Sequence, residues 1–222
     1  MSDQRLLFSK SGRACYISHL DLMRTFQRAF LRAGVSIKHT EGFNPHAFVS
    51  IALPLAVGYS SGCELLDFVL LDGGSKEEVP EQLNRVLPEG IFVQKCYDGE
   101  QPVKKLAWVD WTVALEYDKG VPEGAASALK ELLGRDSLVI QKKSKKAKRG
   151  FTEVDIIPSV RSFQVTEGEK NVLLRAVLSA QNPGLNPELI LTAFRQACPE
   201  LAPDLVRCHR NEVLDGGGKV FR

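Results

Sequence analysis

Strand-like and helix-like segments follow one another in the order β-α-β-β-α-β twice along this chain. In the first half, apolar residues recur at helical spacing between Ser18, which has the side chain of an N-cap, and Gly34, which is a typical helix end. A second helix begins near Ser75 and ends before Pro88. The predicted strands of this half lie at residues 6–8, 48–55, 64–71 and 91–96.

The second half repeats this order of elements. Its predicted helices lie at residues 122–133 and 187–197, and its strand-like runs at 111–117, 138–141, 153–157, 162–165, 171–179 and 205–213. Two successive units of this kind predict an α+β fold made of two tandem ferredoxin-like domains. We place the domains at residues 1–103 and 104–222 on the element order alone, because no residue-level repeat supports a duplication.

Composition excludes several classes of protein. The chain has 222 residues, of which 44% are hydrophobic and 25% charged, as is typical of folded globular proteins. No apolar run approaches the roughly 18 residues of a membrane helix, and the N-terminus lacks the apolar core of a signal peptide, so we expect a cytoplasmic protein without a membrane partner. The five cysteines are widely spaced and form neither a CxxC nor another metal-binding spacing. We therefore expect no metal and no cofactor in this chain.

Positive charge is concentrated locally, although the formal net charge is only +2. Residues 1–103 carry 10 lysines and arginines against 12 acidic residues, and residues 104–222 carry 19 against 15. The densest cluster lies at the tip of a predicted hairpin and consists of Lys142, Lys143, Lys145, Lys146, Lys148 and Arg149. Neighbouring like charges repel one another and are costly to bury, so this basic tract is predicted to be exposed. It either binds a phosphate backbone or only increases solubility.

The first predicted helix carries three arginines on one side. Arg24, Arg28 and Arg32 are spaced four residues apart, whereas Phe26 and Phe30 fall on the opposite side. One interpretation is an ordinary solvated helix face. The other is a row of phosphate-binding groups, because the guanidinium group pairs with phosphate oxygens through two hydrogen bonds.

Three of the four histidines, His19, His39 and His46, lie near the N-terminus. An imidazole close to a hydroxyl such as that of Tyr16 can deprotonate a ribose 2′-hydroxyl near neutral pH. The alternative is that these histidines are hydrogen-bonded residues that fix the Gly-Phe-Asn-Pro-His loop at residues 42–46. Loops carry binding residues disproportionately often, and this loop places polar groups beside the aromatic Phe43.

The Ser-His-Leu-Asp sequence at residues 18–21 and the Gly-Phe-Asn-Pro-His sequence at residues 42–46 resemble a bacterial family described as radical SAM-associated. The resemblance extends over nearly the whole chain, although Phe48 and Ile157 stand where basic residues are expected. Members of this family are domains of unknown function fused to, or encoded beside, radical SAM enzymes. The resemblance therefore implies a radical SAM enzyme as partner, with the iron–sulfur cluster and SAM expected only in that partner.

The element order also resembles the tandem ferredoxin-like proteins that process CRISPR RNA without metals. Our leading hypothesis is an RNA-binding accessory protein that presents structured rRNA or tRNA to the radical SAM enzyme, with no DNA partner. Its predicted RNA-binding residues are Arg13, Arg24, Arg28, Arg32, Phe43 and Asn44, together with the six cations of the basic tract. Tyr16 or Phe43 would stack on a base.

Two alternatives stay open. One is a metal-independent endoribonuclease in which His19, His39 or His46 acts as general base with help from Tyr16, although we commit to no catalytic residue and favour a protein that is not an enzyme. The other is a protein–protein adaptor that docks the radical SAM partner without binding RNA.

Overall fold

The structure is a computed structural model that describes residues 4–71, 74–143 and 151–222, with residues 142, 143 and 151 described by their backbone alone. The fold is of the α+β class, as predicted. The chain divides into two compact units. Unit 1 consists of Met1–Lys105, His209–Glu212 and Val220–Arg222, and unit 2 of Leu106–Cys208 and Val213–Lys219.

Unit 1 contains a sheet covered by two helices. Its elements are β1 (Gln4–Lys10), α1 (His19–Arg32), β2 (Val49–Ala52), β3 (Ser60–Phe68), α2 (Val79–Asn84) and β4 (Ile91–Asp98). Strand β1 lies between β3 and β4, and β2 pairs with β3; all of these pairings are antiparallel. The strand order is therefore fourth, first, third and second.

Helix α1 forms where the sequence predicts it. The Ser18 hydroxyl accepts a hydrogen bond from the backbone N–H of Asp21 at 3.2 Å, which confirms the predicted N-cap. Leu22, Phe26 and Phe30 lie on the buried face of the helix. Phe26 packs edge-to-face on Phe8 of β1, with the ring centroids 4.8 Å apart. Because the aromatic face is buried against the sheet, the arginine side of α1 faces solvent.

Six of the described strands contribute to unit 2, whereas a β-α-β-β-α-β unit has four. Its elements are β5 (Leu106–Glu116), α3 (Ala125–Leu133), β6 (Val139–Lys143), β7 (Phe151–Asp155), β8 (Val160–Glu167), β9 (Asn171–Ser179), α4 (Pro187–Ala197) and β10 (Leu205–Asp215). Strands β10, β5, β9 and β8 lie side by side in that order, and β5, β9 and β8 pair antiparallel. If the β6–β7 pair is left out of the count, the strands of unit 2 lie in the same order as those of unit 1, namely fourth, first, third and second.

Strands β6 and β7 form a separate two-stranded antiparallel sheet. The prediction that strands flank the basic tract is thereby confirmed. A 3-10 helix at Ile157–Ser159 separates β7 from β8. Pro158 lies in this turn, and a proline there provides no N–H for a strand ladder.

The C-terminal residues differ from the predicted domain at 104–222, because His209–Glu212 and Val220–Arg222 belong to unit 1. His209 and Arg210 pair in parallel with Ser60 and Ser61 of β3. The Arg210 guanidinium also lies 2.8 Å from a carboxylate oxygen of Glu64 and donates to the carbonyl oxygen of Leu53 at 2.8 Å. Contacts between residues so far apart in sequence leave no local pattern that would have placed this segment.

Glu64 and Arg210 belong to a buried charged cluster that also includes Lys10. Their exposed fractions are 1%, 5% and 1%, respectively. The Lys10 ammonium donates to the carbonyl oxygen of Ile17 at 2.9 Å, directly before α1. Burial lowers the pKa of Lys10, and the nearby Glu64 carboxylate partly offsets this effect. The cluster therefore connects the sheet to the start of α1.

We predict that breaking the buried ion pair strongly destabilises the protein. Glu64→Gln leaves the Arg210 charge buried without its carboxylate, so the free energy of unfolding should fall by about 3–5 kcal/mol. The matched control is Glu81→Gln, which removes an exposed ion pair with Arg85 and should cost less than about 1 kcal/mol. Urea unfolding of both variants measures the difference, and equal effects would contradict the prediction.

Gly90 lies against Ser11, in the segment that precedes α1, and tests how closely the two backbones must pack. Its φ is +87°, and a Cβ added there would lie 2.4 Å from the carbonyl oxygen of Ser11. Gly58 has the same φ, but a Cβ added there would meet no atom within 4 Å. We expect Gly58→Ala to cost about 1–2 kcal/mol of stability from backbone strain. Gly90→Ala should cost a further 1–3 kcal/mol, roughly, because the backbone must also move apart.

Equal urea midpoints for the two alanine variants would contradict this prediction, because the shared φ would then account for the whole effect.

Candidate functional site

The outer face of α1 presents the three predicted arginines to solvent. Arg24 pairs with Asp21 at 3.2 Å, and Arg32 donates to the carbonyl oxygen of Val86 at 3.3 Å. Hydrogen bonds from Ser18 and Arg24 lower the pKa of Asp21. Arg28 forms no ion pair within the part of the chain that the structure describes. Since the Arg24–Asp21 pair is exposed and weak, a phosphate can compete with the carboxylate for this arginine.

The segment from residue 37 to residue 48 forms a loop that is fixed beside α1. At its base, the Lys38 N–H donates to the Val69 carbonyl oxygen and the Phe48 N–H donates to that of Lys38, both at 2.8 Å. The side-chain amide of Gln27 in α1 donates to the carbonyl oxygen of Ala47 at 3.0 Å. The loop and the arginine helix are thus held side by side within unit 1.

His46 closes the tip of this loop. Its backbone N–H donates to the Thr40 hydroxyl at 3.1 Å, and the Thr40 N–H donates to the His46 carbonyl oxygen at 2.8 Å. Its ring Nδ1 lies 3.1 Å from both the carbonyl oxygen of Asn44 and the hydroxyl oxygen of Thr40. Asn44 and Phe43 are exposed at the tip, and Phe43 reaches 111% of its reference surface.

His39 lies lower in the loop, where it lines two cavities. Its Nδ1 is 3.0 Å from the carbonyl oxygen of Ile37, and since a carbonyl oxygen only accepts, Nδ1 donates this hydrogen bond. One cavity, of about 520 Å³, is bounded by α1, the segment at 34–37 and the loop, and Arg28 lines it as well. The other, of about 450 Å³, includes Phe48 in its lining. The structure therefore brings together Arg28 and His39, two of the predicted site residues.

The remaining candidates do not assemble into a catalytic group. Tyr16 ends a 3-10 helix at Gly12–Tyr16 and is exposed, as is Arg13 in the same turn. The Nδ1 atom of His19 is buried without a hydrogen-bond partner. Among the described residues, no hydrogen bond joins Tyr16 to a histidine. The nucleophile-activating pair expected of the endoribonuclease hypothesis is therefore not preformed in these residues.

The structure describes the basic tract only in part. Residues 144–150, with Lys145, Lys146, Lys148 and Arg149, lie outside the described residues, and so do the side chains of Lys142 and Lys143. Over the described ranges, no group of three or more histidine, cysteine, aspartate or glutamate side chains is placed to hold a metal ion. No described helix is long and apolar enough to span a membrane.

No sequence pattern singled out the fourth histidine, His209, as a site residue. His209 Nδ1 lies 2.8 Å from the Ser60 hydroxyl oxygen, a contact between residues 149 positions apart. Burial lowers the pKa of His209. His209 belongs to no motif that the sequence reveals, so only the pairing of β10 with β3 brings out its contact with Ser60.

A protein-family model described as "Uncharacterized protein conserved in bacteria (DUF2344)" matches residues 4–187. A comparison with curated protein sequences gave no match.

Several solved structures are similar to this chain at low sequence identity. A chain in the crystal structure of a Cbf5-Nop10-Gar1 complex is 12% identical, with a TM-score of 0.52, and the match covers 95% of this chain and 48% of that one. A chain of the archaeal box H/ACA sRNP Nop10-Cbf5 complex is 11% identical, with a TM-score of 0.47, over 97% and 49% of the two chains. A chain of an H/ACA RNP bound to a substrate RNA is 12% identical, with a TM-score of 0.47, over 98% and 48%.

The present chain spans about half the length of each of these three solved chains. At this level of identity, the similarity to the first of them shows a shared fold.

The partly buried His209 predicts a loss of stability in mild acid. Because its pKa is lowered in the folded state, the unfolded chain binds the proton more readily as the pH falls through about 6.5, and stability falls with it. We expect His209→Asn, which keeps a polar group near Ser60, to reduce the loss of stability between about pH 8 and pH 5.5. Urea unfolding at both pH values measures this loss.

Ser60→Ala is the control, because it removes the hydrogen bond but leaves the imidazole partly buried and should keep the pH dependence. An unchanged pH dependence in His209→Asn would show that other groups cause it.

Proposed function

This chain belongs to the bacterial protein family described as "Uncharacterized protein conserved in bacteria (DUF2344)", and we propose that it is an RNA-binding protein. The observation that carries the proposal is the juxtaposition of an exposed arginine row on α1 with an exposed aromatic loop. The Gln27–Ala47 hydrogen bond joins the two within one unit. We call this surface, formed by Arg24, Arg28, Arg32, Phe43 and Asn44, the arginine–loop surface.

The chemistry of the arginine–loop surface favours RNA over other anionic partners. Guanidinium groups bind phosphate oxygens through paired hydrogen bonds, and three of them along a helix match a repeating phosphate backbone better than a single anion. The fully exposed ring of Phe43 offers a face for stacking, which requires an unstacked base. Unstacked bases are available in RNA loops and single strands. A lone phosphate or an acidic peptide uses only the charge and leaves the aromatic ring exposed.

The proposal extends to the basic tract and to the partner. The lysines between β6 and β7 would add phosphate contacts, which supports a structured RNA such as tRNA or rRNA as the ligand. The identical strand order of the two units supports tandem ferredoxin-like domains. An accessory role beside a radical SAM enzyme stays a prediction from the resemblance of the sequence motifs, and so does a cytoplasmic location.

We predict salt-dependent RNA binding that requires the arginine row. Fluorescence anisotropy with a labelled tRNA transcript, at salt concentrations from about 50 to 200 mM, should show an affinity that falls steeply with salt. The triple variant Arg24→Gln, Arg28→Gln and Arg32→Gln should bind more weakly. Its slope of log K against log salt should be shallower by about 2–3, since roughly 0.7–0.9 is lost for each phosphate contact removed.

The matched control is Arg85→Gln, an exposed arginine of the same unit that lies outside the arginine–loop surface and should leave binding unchanged. Equal losses in the control and the triple variant would contradict the location of the site. Absent or salt-independent binding would contradict the proposal and favour the adaptor hypothesis. Incubation of the same RNA with the protein in EDTA should leave it intact, and cleavage that is lost in His46→Ala would instead support the endoribonuclease.

A further inference from the structure

We propose that the cavity lined by Arg28 and His39 binds a nucleobase of single-stranded RNA. This inference rests on the proposed function, and it names the part of the RNA that the arginine–loop surface recognises. We call this recess the base cavity, and the neighbouring recess lined by His39 and Phe48 the second cavity.

The size and lining of the base cavity suit a planar, weakly polar ring. Its volume of about 520 Å³ falls within the range of small-molecule sites and exceeds what one base requires. Phe30, Val35 and Ile37 line it and are themselves buried, so they belong to the rigid core of unit 1. Leu31 lines it as well but is 81% exposed, which leaves an apolar side chain in solvent that a bound ring would cover.

The polar groups of the base cavity are few and have defined roles. Because His39 Nδ1 donates to the Ile37 carbonyl oxygen, the neutral ring keeps Nε2 as a hydrogen-bond acceptor, which suits an N–H group on the edge of a base. Arg28, which makes no ion pair among the described residues, supplies a positive charge for the phosphate attached to that base. Gln27 is already engaged with Ala47 and holds the wall in place. An apolar floor, one acceptor and one cation together match a base with its phosphate.

The second cavity favours an RNA strand over a free nucleotide. It shares His39 with the base cavity, so the two recesses are adjacent. Its lining includes the ring of Phe48, which is 42% exposed, and the cation Lys38. An aromatic ring and a cation are again the groups that bind a base and its phosphate. Two adjacent recesses of similar chemistry are what two successive nucleotides require.

The inference is tested with two strands of equal charge. One is an oligouridylate of about eight nucleotides, and the other is a phosphate strand of the same length built from abasic tetrahydrofuran units. The protein should bind the oligouridylate roughly 5- to 100-fold more tightly than the abasic strand, which is the range produced by one or two recognised bases. We call this ratio of affinities the base preference.

A cavity-filling variant tests whether the base cavity is the site that produces the base preference. Ser36 lines the base cavity with an exposed side chain, so Ser36→Trp should fill the cavity and reduce the base preference to near unity without changing charge. Ser50→Trp, at an exposed serine of β2 in the same unit, is the matched control and should keep it. His39→Phe, which retains a ring but removes the acceptor, should lower the base preference even if the tryptophan variant fails to fold.

The outcomes separate this inference from the proposed function. If the tRNA transcript binds but neither strand does, RNA binding stands and the inference is overturned. If none of the three binds, the proposed function itself is wrong. If both strands bind equally with steep salt dependence, RNA binding stands and the base cavity is not a base site. The inference is also overturned if Ser50→Trp reduces the base preference as much as Ser36→Trp, or if uridine monophosphate binds as tightly as the oligouridylate, since the ligand would then be a free nucleotide.

Discussion

The buried ion pair between Glu64 and Arg210 is the constraint on which the rest of unit 1 depends. Removing two charges from water is expensive, and only close pairing at 2.8 Å and further hydrogen bonds offset that cost. The pair therefore fixes where the segment at 209–212 lies against β3. Through the same cluster, Lys10 holds the carbonyl oxygen of Ile17 and with it the start of α1. The orientation of the arginine row is consequently set by buried electrostatics at one end of the helix and by aromatic packing along it.

Local signals account for the parts of the fold that the sequence predicts correctly. The N-cap at Ser18, the apolar spacing of α1 and the strands around the basic tract are all determined by residues close in sequence, so they could be recognised without a structure. The interruption between β7 and β8 also had a local signal in Pro158, which the extended pattern around it concealed. The placement of residues 209–212 had none, because its determinants lie about 150 positions away.

The candidate site was predictable as a list of residues but not as an arrangement. Arginine spacing placed Arg28 on the exposed side of α1, and the loop motif placed His39 and His46 near a turn. Arg28 and His39 line one cavity because the loop lies beside α1, where the Gln27–Ala47 hydrogen bond joins helix and loop, and neither sequence pattern contains that contact. The contacts of the two histidines also required atomic positions. The His39 ring contacts the carbonyl oxygen of Ile37, whereas the His46 ring contacts that of Asn44.

Hydrogen bonds of the two histidines hold this loop in one conformation. The His39 Nδ1 contacts the Ile37 carbonyl oxygen, and the His46 Nδ1 contacts both the Asn44 carbonyl oxygen and the Thr40 hydroxyl, so both rings are fixed to the loop. A loop that is ordered before its ligand arrives loses less conformational entropy on binding, which matters for a site with few strong contacts. Because residues 1–103 carry more acidic than basic residues, the proposed attraction to RNA would come from the local arrangement of cations and not from the net charge. Such a surface would select a ligand that places phosphates and unstacked bases together, and single-stranded regions of RNA provide both.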